Sequence, residues 1–152
     1  MHTPDATAMT RDETPLRTAA YTVLRLCLSA IFLTAAWAKL RDPNGTLIAV
    51  YQYHILSWEN SEWVSIGLPW FEAAAACGLW FRRTRLGAHA LLFVLLGVFL
   101  FALGSAFARK LDVSCGCFGS WDSNRNAATR LAQDVVLLGF CLPLFRRDVR
   151  LR

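Results

Sequence analysis

The chain has 152 residues, 55% of them hydrophobic and 18% charged, with a mean hydropathy of +0.36 and a formal net charge of +5. That length suits one domain, but the apolar content is too high for an ordinary water-soluble core. The basic residues sit between apolar runs rather than along one soluble face, so no nucleic acid partner is expected, and the partner that composition does imply is the lipid bilayer.

Residues 1–17 mix Thr, Asp, Glu, Pro and Arg without apolar periodicity and read as a disordered cytoplasmic tail. A helix needs roughly 20 apolar residues to cross a hydrocarbon layer of about 30 Å, because lipid offers no partner to an unpaired backbone amide. The first such run is 19–38. Its Ala36-Trp37-Ala38 pattern would suit a cleaved leader, yet the run is long for one and Arg25 interrupts it, so it reads as a retained span. Asp42-Pro43-Asn44-Gly45 then signals a turn. Leu47, Ile48, Tyr51, Ile55 and Trp58 follow at helical spacing over a stretch too short to span, which predicts a short interfacial helix between spans 1 and 2.

The second span covers 63–81 and the third 86–108, and Arg82-Arg83-Thr84-Arg85 between them predicts a tight hairpin with antiparallel neighbours. Gly87, Gly97 and Gly104 in the third span are expected to permit close helix packing. The fourth span, 127–145, has the length, although Arg130, Gln133 and Asp134 leave it uninterrupted only from Val135 onward. Residues 147–152 read as a basic cytoplasmic tail. The fold class is therefore all-α, an integral membrane four-helix bundle with its transmembrane domain over 18–146. Trp37, Trp58, Trp63 and Trp80 fall at predicted membrane boundaries, where an amphipathic indole anchors.

Orientation follows from the distribution of cations. With the N-terminus in the cytoplasm, the inner side collects Arg11, Arg17, Arg82, Arg83, Arg85, Arg146, Arg147, Arg150 and Arg152, while Lys39, Arg41, Arg109, Lys110 and Arg125 lie outside. The positive-inside rule then favours a multi-pass protein of the inner (plasma) membrane with both termini cytoplasmic.

The chemistry-bearing stretch is Ser114-Cys115-Gly116-Cys117-Phe118-Gly119, which this topology places in an outer loop between the third and fourth spans. Cysteines one residue apart can close a small disulfide ring, because the intervening glycine tolerates the backbone angles required. Such a ring is strained, and strained disulfides tend to be the labile or catalytic ones. The same two thiolates could face a soft ion such as Cu(I), whereas a structural zinc site would need two further ligands that no second cysteine pair or nearby histidine pair supplies. Redox chemistry is the favoured reading and no metal ligands are assigned. Cys27, Cys77 and Cys141 lie within the spans and read as packing residues.

An ionisable group in a span is costly enough to suggest function, and Glu72 sits about halfway along the second span, three residues after Pro69. Lys39 is its nearest partner by depth, while Arg130 and Asp134 are one helical turn apart and suited to pair with each other. Glu72 and Lys39 could form a structural ion pair or act in catalysis, with Lys39, Arg109 or Lys110 as the cation that sustains a thiolate.

Taken together, Ala38-Lys39-Leu40-Arg41-Asp42-Pro43, Tyr51 and Leu56, Pro69-Trp70-Phe71-Glu72, Cys115-Gly116-Cys117-Phe118-Gly119 and Arg130 give a chain that resembles the MauE family, within the wider MauE/DoxX group of redox-associated membrane proteins. The similarity runs over roughly residues 20 to 145. It implies a four-helix membrane protein that assists maturation of periplasmic, disulfide-containing proteins beside a thioredoxin-like, MauD-like partner. By position, it implies Cys115 and Cys117 as the redox pair, with Lys39 and Glu72 as family positions of no assigned role.

Three function classes stay open: a thiol-disulfide oxidoreductase acting on an extracytoplasmic client, a copper or other soft-metal handling protein, and a non-catalytic subunit that docks a redox enzyme. A membrane quinone is a candidate electron acceptor, although no quinone motif is present, and Trp70, Phe71 and Phe101 read as bundle core rather than as a cofactor pocket.

Overall fold

The computed structural model describes residues 15–109 and 127–150, with side chains over 16–109 and 131–150. These residues form five helices and no strands: α1 (Pro15–Arg41), α2 (Pro43–Gln52), α3 (Trp58–Gly78), α4 (Arg85–Ala108) and α5 (Ala127–Arg150). At a rise of about 1.5 Å per residue, the four long helices run about 31 to 40 Å. Two of them, over Leu16–Arg41 and Arg85–Ala108, are both long and apolar enough to cross a membrane. The expected second and fourth spans have the length as α3 and α5, but Glu59, Asn60, Ser61, Glu62, Ser65 and Glu72 in α3, and the charges at both ends of α5, dilute their apolar content. α1 starts at Pro15 and α5 continues to Arg150, so both take in residues that the sequence pattern alone reads as tails.

The long helices pack in the cyclic order α1, α3, α4, α5 and back to α1, and α2 lies against α1 and α3. Their shared core is built from Leu28 and Phe32 of α1, Ala75 and Ala76 of α3, Leu92 and Leu96 of α4, and Leu137, Cys141 and Leu144 of α5. Spacings of three and four residues place these side chains on one stripe of α1, α4 and α5, and the adjacent Ala75 and Ala76 are both buried in α3. The opposite stripes are also apolar. Trp63, Ile66, Trp70 and Phe71 of α3 and Val94, Val98 and Phe101 of α4 all face outward. Trp70, Phe71 and Phe101 are thus not bundle core, because a helix apolar on every side gives periodicity nothing with which to distinguish inside from outside.

The connections explain the register. Asp42 is not in a free turn but caps α2: its side chain accepts a hydrogen bond from the Gly45 backbone N–H at 2.9 Å, and Pro43 fills the first helical position, where no donor is needed. A Cβ at Gly45 would collide with the Asp42 carboxylate. α2 is followed by a turn at His54, whose φ of +50° lies in the left-handed region. The predicted hairpin joins α3 and α4, with the Thr84 hydroxyl donating to the Gly78 carbonyl at 3.0 Å. These helices approach closely at Gly78, since a Cβ there would lie 2.9 Å from that of Ala88. By contrast, Gly87, Gly97 and Gly104 have nothing among the described residues within 4 Å of an added Cβ, so within the described bundle they are not the close-packing positions expected of them.

Candidate functional site

Lys39 and Glu72 meet between α1 and α3. The Lys39 ammonium donates to both carboxylate oxygens of Glu72, at 2.8 Å to Oε1 and 2.9 Å to Oε2. Their side chains are 2% and 1% exposed. The Phe99 ring of α4 lies 5.8 Å from the ammonium, close enough for cation–π attraction. Each residue reaches this position for a local reason. Lys39 stands in the last turn of α1, where a cation complements the partial negative charge of the helix terminus. Glu72 stands three residues after Pro69, on the buried side of α3 with Ser65, Pro69, Ala75 and Ala76. Chemically, the pair is a charge couple shielded from water, able to hold a proton or to fix the electrostatic potential of its surroundings.

α2 lies at this same end of the bundle. Arg109, at the end of α4, donates to the Tyr53 carbonyl at 2.6 Å and to the His54 carbonyl at 3.5 Å, and its Nε donates to the Ser105 carbonyl at 3.1 Å. It thus ties the turn after α2 to α4. Edge-on contacts of Tyr51 with His54 and Trp58, at 5.7 and 5.1 Å, stiffen that turn.

A second buried polar cluster, which sequence reasoning missed, lies at the other end. Asp148 of α5 accepts from Arg25 of α1 at 3.2 and 3.3 Å and from Arg85 of α4 at 3.2 Å, and its Oδ2 lies 3.9 Å from Nε2 of His89. Arg85 also donates through Nε to the Leu79 carbonyl, so the cluster touches the end of α3 as well. Two signals were present in the sequence: Arg25 inside an apolar run, and a lone acidic residue within an arginine-rich terminal segment. Nearby, the Trp80 indole N–H donates to Ser29, whose hydroxyl donates to the Ala76 carbonyl.

Of the four site residues expected from sequence, Lys39 and Glu72 are brought together, while Cys115 and Cys117 lie outside the described residues, as do Lys110 and the Arg130 side chain expected to pair with Asp134. Asp134 itself is buried. Among the other cysteines, Cys141 packs in the core as expected, but Cys27 and Cys77 are exposed on outward faces. The boundary tryptophans Trp37, Trp58, Trp63 and Trp80 are all exposed, and the Arg41 guanidinium lies 5.1 Å over the Trp37 ring.

Comparison with known proteins bears on the whole of this framework. The family model described as methylamine utilisation protein MauE matches residues 17–146. The methylamine utilization protein MauE of Paracoccus denitrificans is 34% identical over 96 residues, covering 62% of this chain and 52% of the relative. That of Paracoccus versutus is 32% identical over 120 residues, covering 78% and 64%. The chain therefore spans between half and two thirds of the length of these curated relatives. No solved structure matches it. With the matched segment extending from the first turn of α1 into the last turns of α5 and taking in both Lys39 and Glu72, this chain belongs to the MauE family.

Proposed function

We propose that the chain is a four-span membrane accessory protein of a methylamine-utilisation system, which exchanges disulfides with a thioredoxin-like partner through Cys115 and Cys117. The single observation that carries this reading is the water-shielded Lys39–Glu72 pair, at the end of the bundle from which the segment containing the Cys-Gly-Cys run departs. A charge couple is costly to hold inside an apolar bundle, and such groups concentrate at working sites. Family membership and the two apolar helices support the membrane setting. Both termini are then cytoplasmic, with α2 along the outer interface.

In the exchange, a partner thiolate attacks the Cys115–Cys117 disulfide to form a mixed disulfide, and the partner's second thiolate resolves it. The partner leaves oxidised and ready to act on an extracytoplasmic client. Two electrons and two protons have passed to Cys115 and Cys117, which become thiols. An acceptor of two electrons and two protons restores the ring, and a membrane quinone has the right chemistry. Lys39 and Glu72 set the local potential that favours the thiolate.

The test uses the full chain in membranes with a thioredoxin-like partner lacking its resolving cysteine. A mixed disulfide is expected with the native chain and none with the Cys115→Ser, Cys117→Ser double variant. Trapping that persists in the double variant overturns the proposal. So does a stoichiometric soft metal that is held by the native chain and lost on substituting both cysteines, which would instead identify a metal-handling protein.

A further inference from the structure

The proposed disulfide exchange does not use the buried cluster at the opposite end, and Asp148, its hub, lies beyond the segment matched by the family model. His89 is fully buried in it. Its Nδ1 lies 2.8 Å from the Arg85 carbonyl oxygen. A carbonyl only accepts, so Nδ1 must carry the hydrogen, and in the neutral ring Nε2 is left with a bare lone pair. That lone pair has no hydrogen-bond partner among the described residues, and what stands before it at 3.9 Å is a carboxylate oxygen, a second acceptor. Two acceptors face each other in a site closed to solvent, an arrangement that one proton would convert into a charge-assisted hydrogen bond.

We propose that His89 and Asp148 form a proton-binding site at the arginine-rich end, in which a proton added at Nε2 is shared with Asp148 Oδ2 and draws α4 and α5 together. The charged groups facing it come from every neighbour that carries one: Arg25 on α1, Arg85 on α4, and Asp148 with Arg147 nearby on α5. α3 contributes only the Leu79 carbonyl just beyond its end, which engages Arg85. Burial and the guanidiniums oppose the added charge, while the Arg85 carbonyl and the Asp148 carboxylate favour it, and Asp148 is the favouring group that a substitution can remove. Arg25 and Arg85, with side chains 12% and 18% exposed, mark the side of the cluster nearest its surface.

The test is nitrogen-15 resonance of histidine in the full chain held in lipid nanodiscs, between about pH 8 and pH 5. The His89 signals are assigned by their loss in His89→Gln. At the alkaline end His89 is expected as the Nδ1–H tautomer, with Nε2 at its lone-pair position. On acidification Nε2 should move to the protonated position while Nδ1 remains protonated, and Asp148→Asn should shift that transition to lower pH or remove it. An Nε2–H tautomer at the alkaline end overturns the proposal, as does a wild-type His89 that stays neutral throughout the range. Both readouts come from the wild type, so the proposal stays falsifiable if Asp148→Asn does not fold.

Discussion

Replacing Glu72 with Gln keeps its shape and removes the carboxylate that accepts two hydrogen bonds from the Lys39 ammonium, whose side chain is 2% exposed. Removing one partner of a buried pair costs about 3–5 kcal/mol, because the surviving charge keeps its desolvation penalty and loses its compensation. For a chain of this size, about 2–4 °C per kcal/mol converts that into a melting temperature lower by about 6–20 °C. Lys39→Met should cost a similar amount for the mirror-image reason. The double variant Lys39→Met, Glu72→Leu removes both charges, and well-packed apolar replacements of a buried pair are often neutral or stabilising. The assay is thermal unfolding of all four proteins in the same detergent or nanodisc, read as a double-mutant cycle. Strong non-additivity is expected, with the double variant much closer to the native chain than the sum of the singles. Additive losses, or a Glu72→Gln shift under 2 °C, would refute the reasoning, since either means that the two charges do not depend on each other. A double variant that is stable but no longer traps a mixed disulfide would separate the pair's role in exchange from its role in packing.

Three further outcomes follow from local geometry. Gly78→Ala should destabilise by about 1–3 kcal/mol, because its Cβ would press on that of Ala88, whereas Gly97→Ala, with open space around it, should be neutral or stabilising by up to about 1 kcal/mol; thermal unfolding separates the two. Asp42→Ala removes the cap of α2 and should cost about 1 kcal/mol, seen as faster amide exchange at Gly45 and Thr46. Arg109→Gln releases the carbonyls of Tyr53 and His54, so limited proteolysis between α2 and α3 should accelerate while the helical signal is retained.

Residue patterns in the chain were enough to establish an all-helical fold, the break near residue 42 and the hairpin between α3 and α4, because apolar runs, proline and capping residues act locally; the short helix expected from Leu47 to Trp58 instead runs over Pro43–Gln52, with Ile55 beyond its end and Trp58 opening α3. They also marked Glu72 as a charge out of place and Lys39, at the end of the first span, as its nearest partner by depth. Only the tertiary structure decided that the two ions touch, since pairing across 33 residues depends on how α1 and α3 are rotated against each other, and no local rule sets that rotation. The same limit hid Asp148, whose partners stand 123 and 63 residues away and which, read locally, is one acid in a basic tail. Tertiary packing likewise reversed the reading of the glycines and outward aromatics of α3 and α4: helices apolar all round present equivalent faces in sequence, and only the neighbours fix which face is core.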